Sequence, residues 1–304
     1  MISVTKATTV TVPTRISPFI FRWEIEEGGY EWKRQRKNTD ARLVGRGGLE
    51  SRIMLYEPME AFPGLFLEFA KLKPTRDSIR QFADRYGNLF DTYDIADTVV
   101  QNERMVGGST FQEWKREIEY MDAIVNLWEA VKDHNMTELR KIIKWTDNGV
   151  LYSVKTRGGA LSSSVLTHKL NSTFKEMLAR FGKPGSVLQP ARYALRREIN
   201  KRVAFATTVP RLMWASGARL DGQPPKPDAH LRIAFVPSNL IAAMWLQFAQ
   251  AVTGECQLRR CDECEKHFPV GPGGKRLDAD TCSVRCRQRK KRRLDGKARI
   301  KSLR

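Results

Sequence analysis

The sequence predicts an α+β fold in which helix predominates, with short strands and hairpins, followed by a small separate module at the C-terminal end. Three observations carry that reading. Trp114, Ile118, Met121, Val125, Trp128 and Val131 recur at intervals of three and four, the period of a helix with one buried face. In mid-chain, Val150–Lys155 (VLYSVK) is a β-prone run between the turn signals Asp147-Asn148-Gly149 and Arg157-Gly158-Gly159. Finally, four of the five cysteines fall within Arg260–Arg293, a stretch unlike anything before it.

Taken in order, residues 1–60 read as an irregular N-terminal segment with short strands. Val4–Val12 alternates loosely and Phe19–Ile25 alternates better, while the polar, glycine-punctuated Glu26–Gly48 reads as a long basic loop. Residues 61–254 form the body. Thr75-x-x-Ser78 opens a helix through Ile79, Phe82, Ala83 and Tyr86, with Gly87 as its stop. Asp91, Asp94 and Asp97 lack metal-loop spacing and read as loop and cap residues. Ser109-Thr110 opens the long Trp114–Val131 helix, whose Trp and Met stripe reads as core rather than as a ligand cavity. An amphipathic helix over Thr137–Trp145 precedes the mid-chain strands. Helices over Ser172–Phe181 and Pro190–Ala204 follow, then strands in Thr208–Leu220 and Leu231–Val236 around the polar loop Asp221–Asp228. Pro237-Ser238-Asn239 caps a last apolar helix, Leu240–Val252, which Gly254 ends.

The composition is that of a globular protein, 41% hydrophobic and 29% charged, with seven Trp and 14 Phe for a core. The net charge of +19 is unusual, and it is concentrated. Residues 287–304 hold ten Lys or Arg against one Asp, supplying +9 of that total. No apolar run is long enough to span a membrane, and Met1–Ile16 lacks the apolar centre of a signal peptide. A cytoplasmic chain is expected, associated with the nucleoid if DNA is its partner.

Cysteine spacing defines the module over 257–293. Cys261-x2-Cys264, a 17-residue gap and Cys282-x3-Cys286 supply two close pairs, the pattern of a tetrahedral four-thiolate zinc site. Cys282 and Cys286 are four apart and share one face of a helix, whose N-terminus favours thiolate. Disulfides need an oxidising compartment that nothing at the N-terminus announces. Cys256 falls outside the pattern as a core thiol, and His267 adds a ligand that four thiolates leave no room for. Phe268 is placed to pack on the first knuckle. The string Gly271-Pro272-Gly273-Gly274-Lys275 is no phosphate loop, since Pro269 replaces its first glycine and Arg276 its Ser or Thr.

One structural zinc per chain is therefore expected on Cys261, Cys264, Cys282 and Cys286. The basic run that begins beside them offers Arg285, Arg287, Arg289, Lys290, Lys291, Arg292 and Arg293 to a polyanion, and 294–304 continues as a basic tail.

These residues resemble the treble-clef zinc fingers at the C-terminus of many bacterial proteins, the CGNR-type family. The resemblance rests on Arg259-Arg260-Cys261, the Cys264 knuckle with Phe268 after it, Cys282-Ser283 opening the last helix, and the arginines beyond Cys286. Cys286-Arg287-Gln288-Arg289 stands where that family has Cys-Gly-Asn-Arg, its second pair is more tightly spaced, and Thr281 replaces an aromatic. The chain thus resembles a divergent relative, and the order of elements in its body is similar to that of bacterial proteins carrying such fingers. The resemblance implies a treble-clef-like module. Charge and motif point to a regulator-like protein holding nucleic acid, DNA in preference to RNA, with a small-molecule or protein ligand for the body. The alternatives are an RNA- or ribosome-associated protein, or an enzyme that uses the finger for targeting. Only four histidines occur, none paired at metal spacing, and no nucleophile motif is present, so no catalytic residue is assigned.

Overall fold

The computed structural model describes residues 21, 23–34, 41–47, 52–90, 108–146, 149–155, 161–168, 181–205, 209–214, 231–254, 257–271 and 275–302. It is a mixed helix and sheet architecture, about 51% helical, with small antiparallel sheets. The readings at Val4–Val12, at Asp91, Asp94 and Asp97, at Arg157-Gly158-Gly159, over 172–180 and over 221–228 lie outside the described residues.

Strands β1 (Trp23–Glu26) and β4 (Ile53–Tyr56) pair antiparallel, with Trp23 opposite Tyr56. Between them, β2 (Tyr30–Arg34) and β3 (Ala41–Gly45) pair from Tyr30↔Gly45 to Arg34↔Ala41. This corrects the long basic loop expected over Glu26–Gly48. The physical reason is that Tyr30, Leu43 and Val44 are buried while Lys33 and Arg34 are exposed. Charge on the wet side of a hairpin hides the few apolar residues that hold its dry side.

Helices α1 (Pro58–Ala61), α2 (Leu65–Ala70) and α3 (Arg76–Tyr86) follow. The N-cap of α3 is as expected: the Thr75 side chain accepts from the Ser78 N–H at 3.3 Å. Gly87 ends it at φ 89°, where a Cβ would stand 2.5 Å from the Glu24 carbonyl oxygen. A two-residue strand β5 (Ser109–Thr110) joins β3 and leads into α4 (Phe111–Lys132). Thr110 and Glu113 form a reciprocal capping box at its start.

Helix α4 is the axis of the body. Trp114, Ile118, Met121, Val125 and Val131 are buried and Trp128 packs half-buried against the same core, so the stripe read as core faces the core. Phe66 of α2 stacks on Phe248 with centroids 5.1 Å apart, and Trp128 meets Phe248 edge-on at 5.6 Å. Phe248 belongs to α7 (Leu240–Thr253), capped by Asn239 and ended by Gly254 in the left-handed region at φ 76°. Its Gln247 donates to the Pro58 and Phe62 carbonyls at 3.1 and 2.9 Å, satisfying the end of α1. Helix α6 (Leu188–Phe205) packs on α4 and α7, and Arg202 donates to both oxygens of buried Glu117 at 3.1 Å. Trp23, Tyr30 and Leu43 share this same core.

A second correction concerns Thr137–Trp145. Helix α5 (Met136–Ile142) stops at Ile142, and Ile143–Thr146 is strand β6. It pairs with β7 (Gly149–Lys155), Ile143 opposite Tyr152, and β7 pairs with β8 (Leu161–His168). Ile142 and Trp145 suit a helix face by spacing, i and i+3, but cross-strand pairing of Ile143 with Tyr152 and of Trp145 with Val150 wins, helped by the Trp145 indole donating to the Ser186 carbonyl at 2.6 Å. Strands β9 (Val209–Trp214) and β10 (Leu231–Val236) form a further antiparallel pair. The chain closes with β11 (Gln257–Arg260), β12 (His267–Val270) and α8 (Val284–Ser302). No helix of the described residues is long and apolar enough to cross a membrane.

Candidate metal centre

The hairpin β11–β12 and the start of α8 bring the four predicted cysteines together. Arg260 pairs with His267 across the hairpin, and the Cys261 N–H donates to the Lys266 carbonyl at 2.9 Å. The turn between is tight enough that Glu265 takes φ 60°, unusual for a residue with a Cβ. That turn holds Cys261 and Cys264. The other pair sits where α8 begins: the Ser283 hydroxyl accepts from the Cys286 N–H at 3.1 Å, fixing the first turn beneath Cys282.

The four sulfurs all lie within 4.8 Å of one another. Cys264 and Cys282 are 3.4 Å apart at sulfur, and Cys282 and Cys286 3.6 Å. A zinc–sulfur bond of about 2.3 Å in a tetrahedron requires sulfur–sulfur edges of about 3.8 Å. A disulfide would require about 2.0 Å, and all four thiols are free. The cluster fits a metal ion and does not fit two disulfides. Four cysteines could thus hold a metal here, with Cys261 and Cys286 buried.

The site is also tuned toward thiolate on one side. Burial alone raises the Cys261 thiol, but backbone N–H groups of Cys264, Cys282 and Glu263 outweigh it and bring the pKa down to about 6. The Cys282 N–H reaches the Cys261 sulfur at 3.3 Å. Cys282 itself is pushed up to about 12 by burial and by its three sulfur neighbours, and burial raises Cys264 as well. A metal ion would displace those protons.

Phe268 is buried against Cys261, Cys286 and Val270, as its position after the knuckle predicts. His267 is not part of the cluster. It turns the other way, onto the body, where a Cβ on Gly64 would stand 2.4 Å from its own Cβ. Beside it, the Lys266 ammonium lies 5.5 Å from the Phe62 ring centroid, and Leu258 packs on the main core. Gly64→Ala should therefore lift the finger hairpin off α2. Faster hydrogen exchange across 257–270, with zinc content unchanged, is the expected reading. Cys256 lies outside the described residues.

The seven cations named from the sequence all fall on α8, and the structure divides them. Lys290 pairs with Asp262 at 2.5 Å and with Asp280. Arg293 donates to Glu263 at 2.6 and 2.9 Å. These two stand one and two turns beyond Cys286 on the same stripe and hold the helix against the knuckle. Arg285, Arg287, Arg289, Lys291 and Arg292 are exposed. Sequence reading missed the acidic partners, although Asp262 and Glu263 lie between the first two cysteines. Opposite charges 28 and 30 residues apart become neighbours only once the chain doubles back around the cysteines.

No family model, curated protein or solved structure matches the chain.

Proposed function

We propose that the chain is a nucleic-acid-binding, regulator-like protein whose C-terminal finger, closed by one structural zinc, holds DNA through α8. The observation that carries this reading is a helix held at its start by Cys286 that, of the seven cations over 285–293, leaves five in solvent without a partner among the described residues and pairs two with its own knuckle. Zinc suits a four-sulfur set, and four protein thiolates leave no open position for a water, so its contribution is to the fold. The treble-clef-like reading of the module belongs to the same proposal. Affinity comes from phosphate contacts, which release counterions and are sequence-independent. The body, docked on the finger through Gly64 and Phe62, would be the part that senses a small molecule or a protein.

The test is the affinity of the zinc-loaded full chain for duplex DNA at 50 and 200 mM salt. Five phosphate contacts give a log–log slope of about −4.5, hence a loss of roughly 500-fold over that range. Binding that is absent, or indifferent to salt, would overturn the proposal.

A further inference from the structure

Helix α8 presents four stripes, separated by the turn of about 100° per residue. Cys286, Lys290 and Arg293, spaced i, i+4 and i+7, face the knuckle, as their sulfur cluster and ion pairs establish. Arg285, Arg289 and Arg292 have the same spacing on one flank. Arg287 and Lys291 occupy the other flank. Between the flanks, diametrically opposite the knuckle stripe to within about 15°, lies Gln288, with Val284 one turn earlier and slightly to one side. Gln288 is exposed, and Val284 is 61% exposed although apolar and placed at the very start of the helix.

Resting on the DNA-binding reading above, we infer that the first two turns of α8 enter the major groove of duplex DNA, with Gln288 at the base edges and the two cationic flanks on the two phosphate walls. The dimensions agree: a helix with its side chains is about 10–12 Å across, and the groove is about 12 Å wide. A helix docked along one stripe must approach the groove with the opposite one, and here that stripe carries an amide. Glutamine both donates and accepts, the combination that pairs with N6 and N7 of adenine, while a valine side chain suits the thymine methyl. Flanks of guanidinium and ammonium groups on both sides of a helix have no use against a single phosphate strand. They match a channel with anionic walls on either side. Asp295 lies on the groove-facing side about 10 Å beyond Gln288, where its carboxylate is repelled by phosphate. That limits the contact to residues 284–292. Duplex RNA is excluded by shape, because its major groove is too deep and narrow for side chains to read.

The experiment selects bound fragments from a random duplex DNA library with the zinc-loaded full chain and with Gln288→Ala. Duplex RNA serves as a competitor. Gln288 is exposed and has no side-chain hydrogen bond among the described residues, and equal zinc content of the two proteins checks that the fold does not need it. The expected result is enrichment of an adenine at one position, discriminated roughly 5- to 150-fold. In Gln288→Ala that preference disappears, while affinity for unrelated duplex stays within about twofold. Duplex RNA should compete poorly. A preference unchanged in Gln288→Ala, or duplex RNA competing as well as DNA, overturns the groove assignment while leaving salt-dependent DNA binding intact. Failure to bind any duplex DNA overturns both.

Discussion

Replacing Cys282 by serine should remove the bound metal and unfold the finger while the body keeps its own cooperative transition. Zinc content should fall from about one per chain to near zero. The reason is the size of the finger's own core, which among the described residues is Cys261, Phe268, Val270 and Cys286 with a few half-buried neighbours. So small a cluster cannot offset the entropy of ordering the segment, whereas structural zinc supplies about 10–16 kcal/mol in comparable sites. Protease should then cut within 257–302 and spare the body, whose core is built on α4 and meets the finger at Leu258, Lys266 and His267 among the described residues. Protection of 257–302 in metal-free protein would contradict this account. Metal uptake should also depend on pH in a definite sense. At neutral pH the metal-free site has Cys261 ionised and Cys264 and Cys282 protonated, so binding releases protons and affinity rises with pH. As pH falls through about 6, Cys261 protonates too and affinity drops more steeply. Competition against a chromophoric chelator at several pH values, with proton release measured in weak buffer, reads both effects.

The second large effect belongs to the exposed arginines. Arg285→Gln, Arg289→Gln and Arg292→Gln combined should lower the magnitude of the log–log salt slope for duplex DNA by about 2.7, three contacts at about 0.9 each. Most of the affinity at low salt should go with it, and the fold should not change, because none of the three has a partner among the described residues. Lys290→Ala provides the contrast. Lys290 is held by Asp262 and Asp280, whose carboxylates raise its pKa as its ammonium lowers that of Asp280. Removing it takes away one of the two ion-pair ties to the knuckle, leaving Arg293 on Glu263 and Cys286 in the cluster, and should weaken binding without changing the slope. A slope reduced equally by both changes would mean that α8 is not oriented as its ion pairs indicate.

Where elements declare themselves locally, they could be read without coordinates. The α4 capping box, the Thr75 and Asn239 caps and the glycine stops at 87 and 254 each depend on residues within one turn of one another. The hairpin β2–β3 could not be read, because a strand with charge on its wet face has too few apolar residues to show its period. Strand β6 failed differently: Ile142, Ile143 and Trp145 satisfy a helical face, and only the presence of β7 alongside decides the matter.

The metal cluster followed from spacing by itself, since paired cysteines three and four residues apart already sit close together in the chain and only a doubling back is left to supply. So did the basic character of the C-terminal end, which is a sum over residues and needs no geometry. What tertiary structure alone decided is which of those charges are available. Asp262, Glu263 and Asp280 meet Lys290 and Arg293 only after the knuckle has closed, and that contact turns one stripe of α8 inward and leaves Gln288 on the side opposite. A helix in isolation has no inside. Its faces acquire different roles when something docks against one of them, and the docking surface here is assembled from residues distant in the chain.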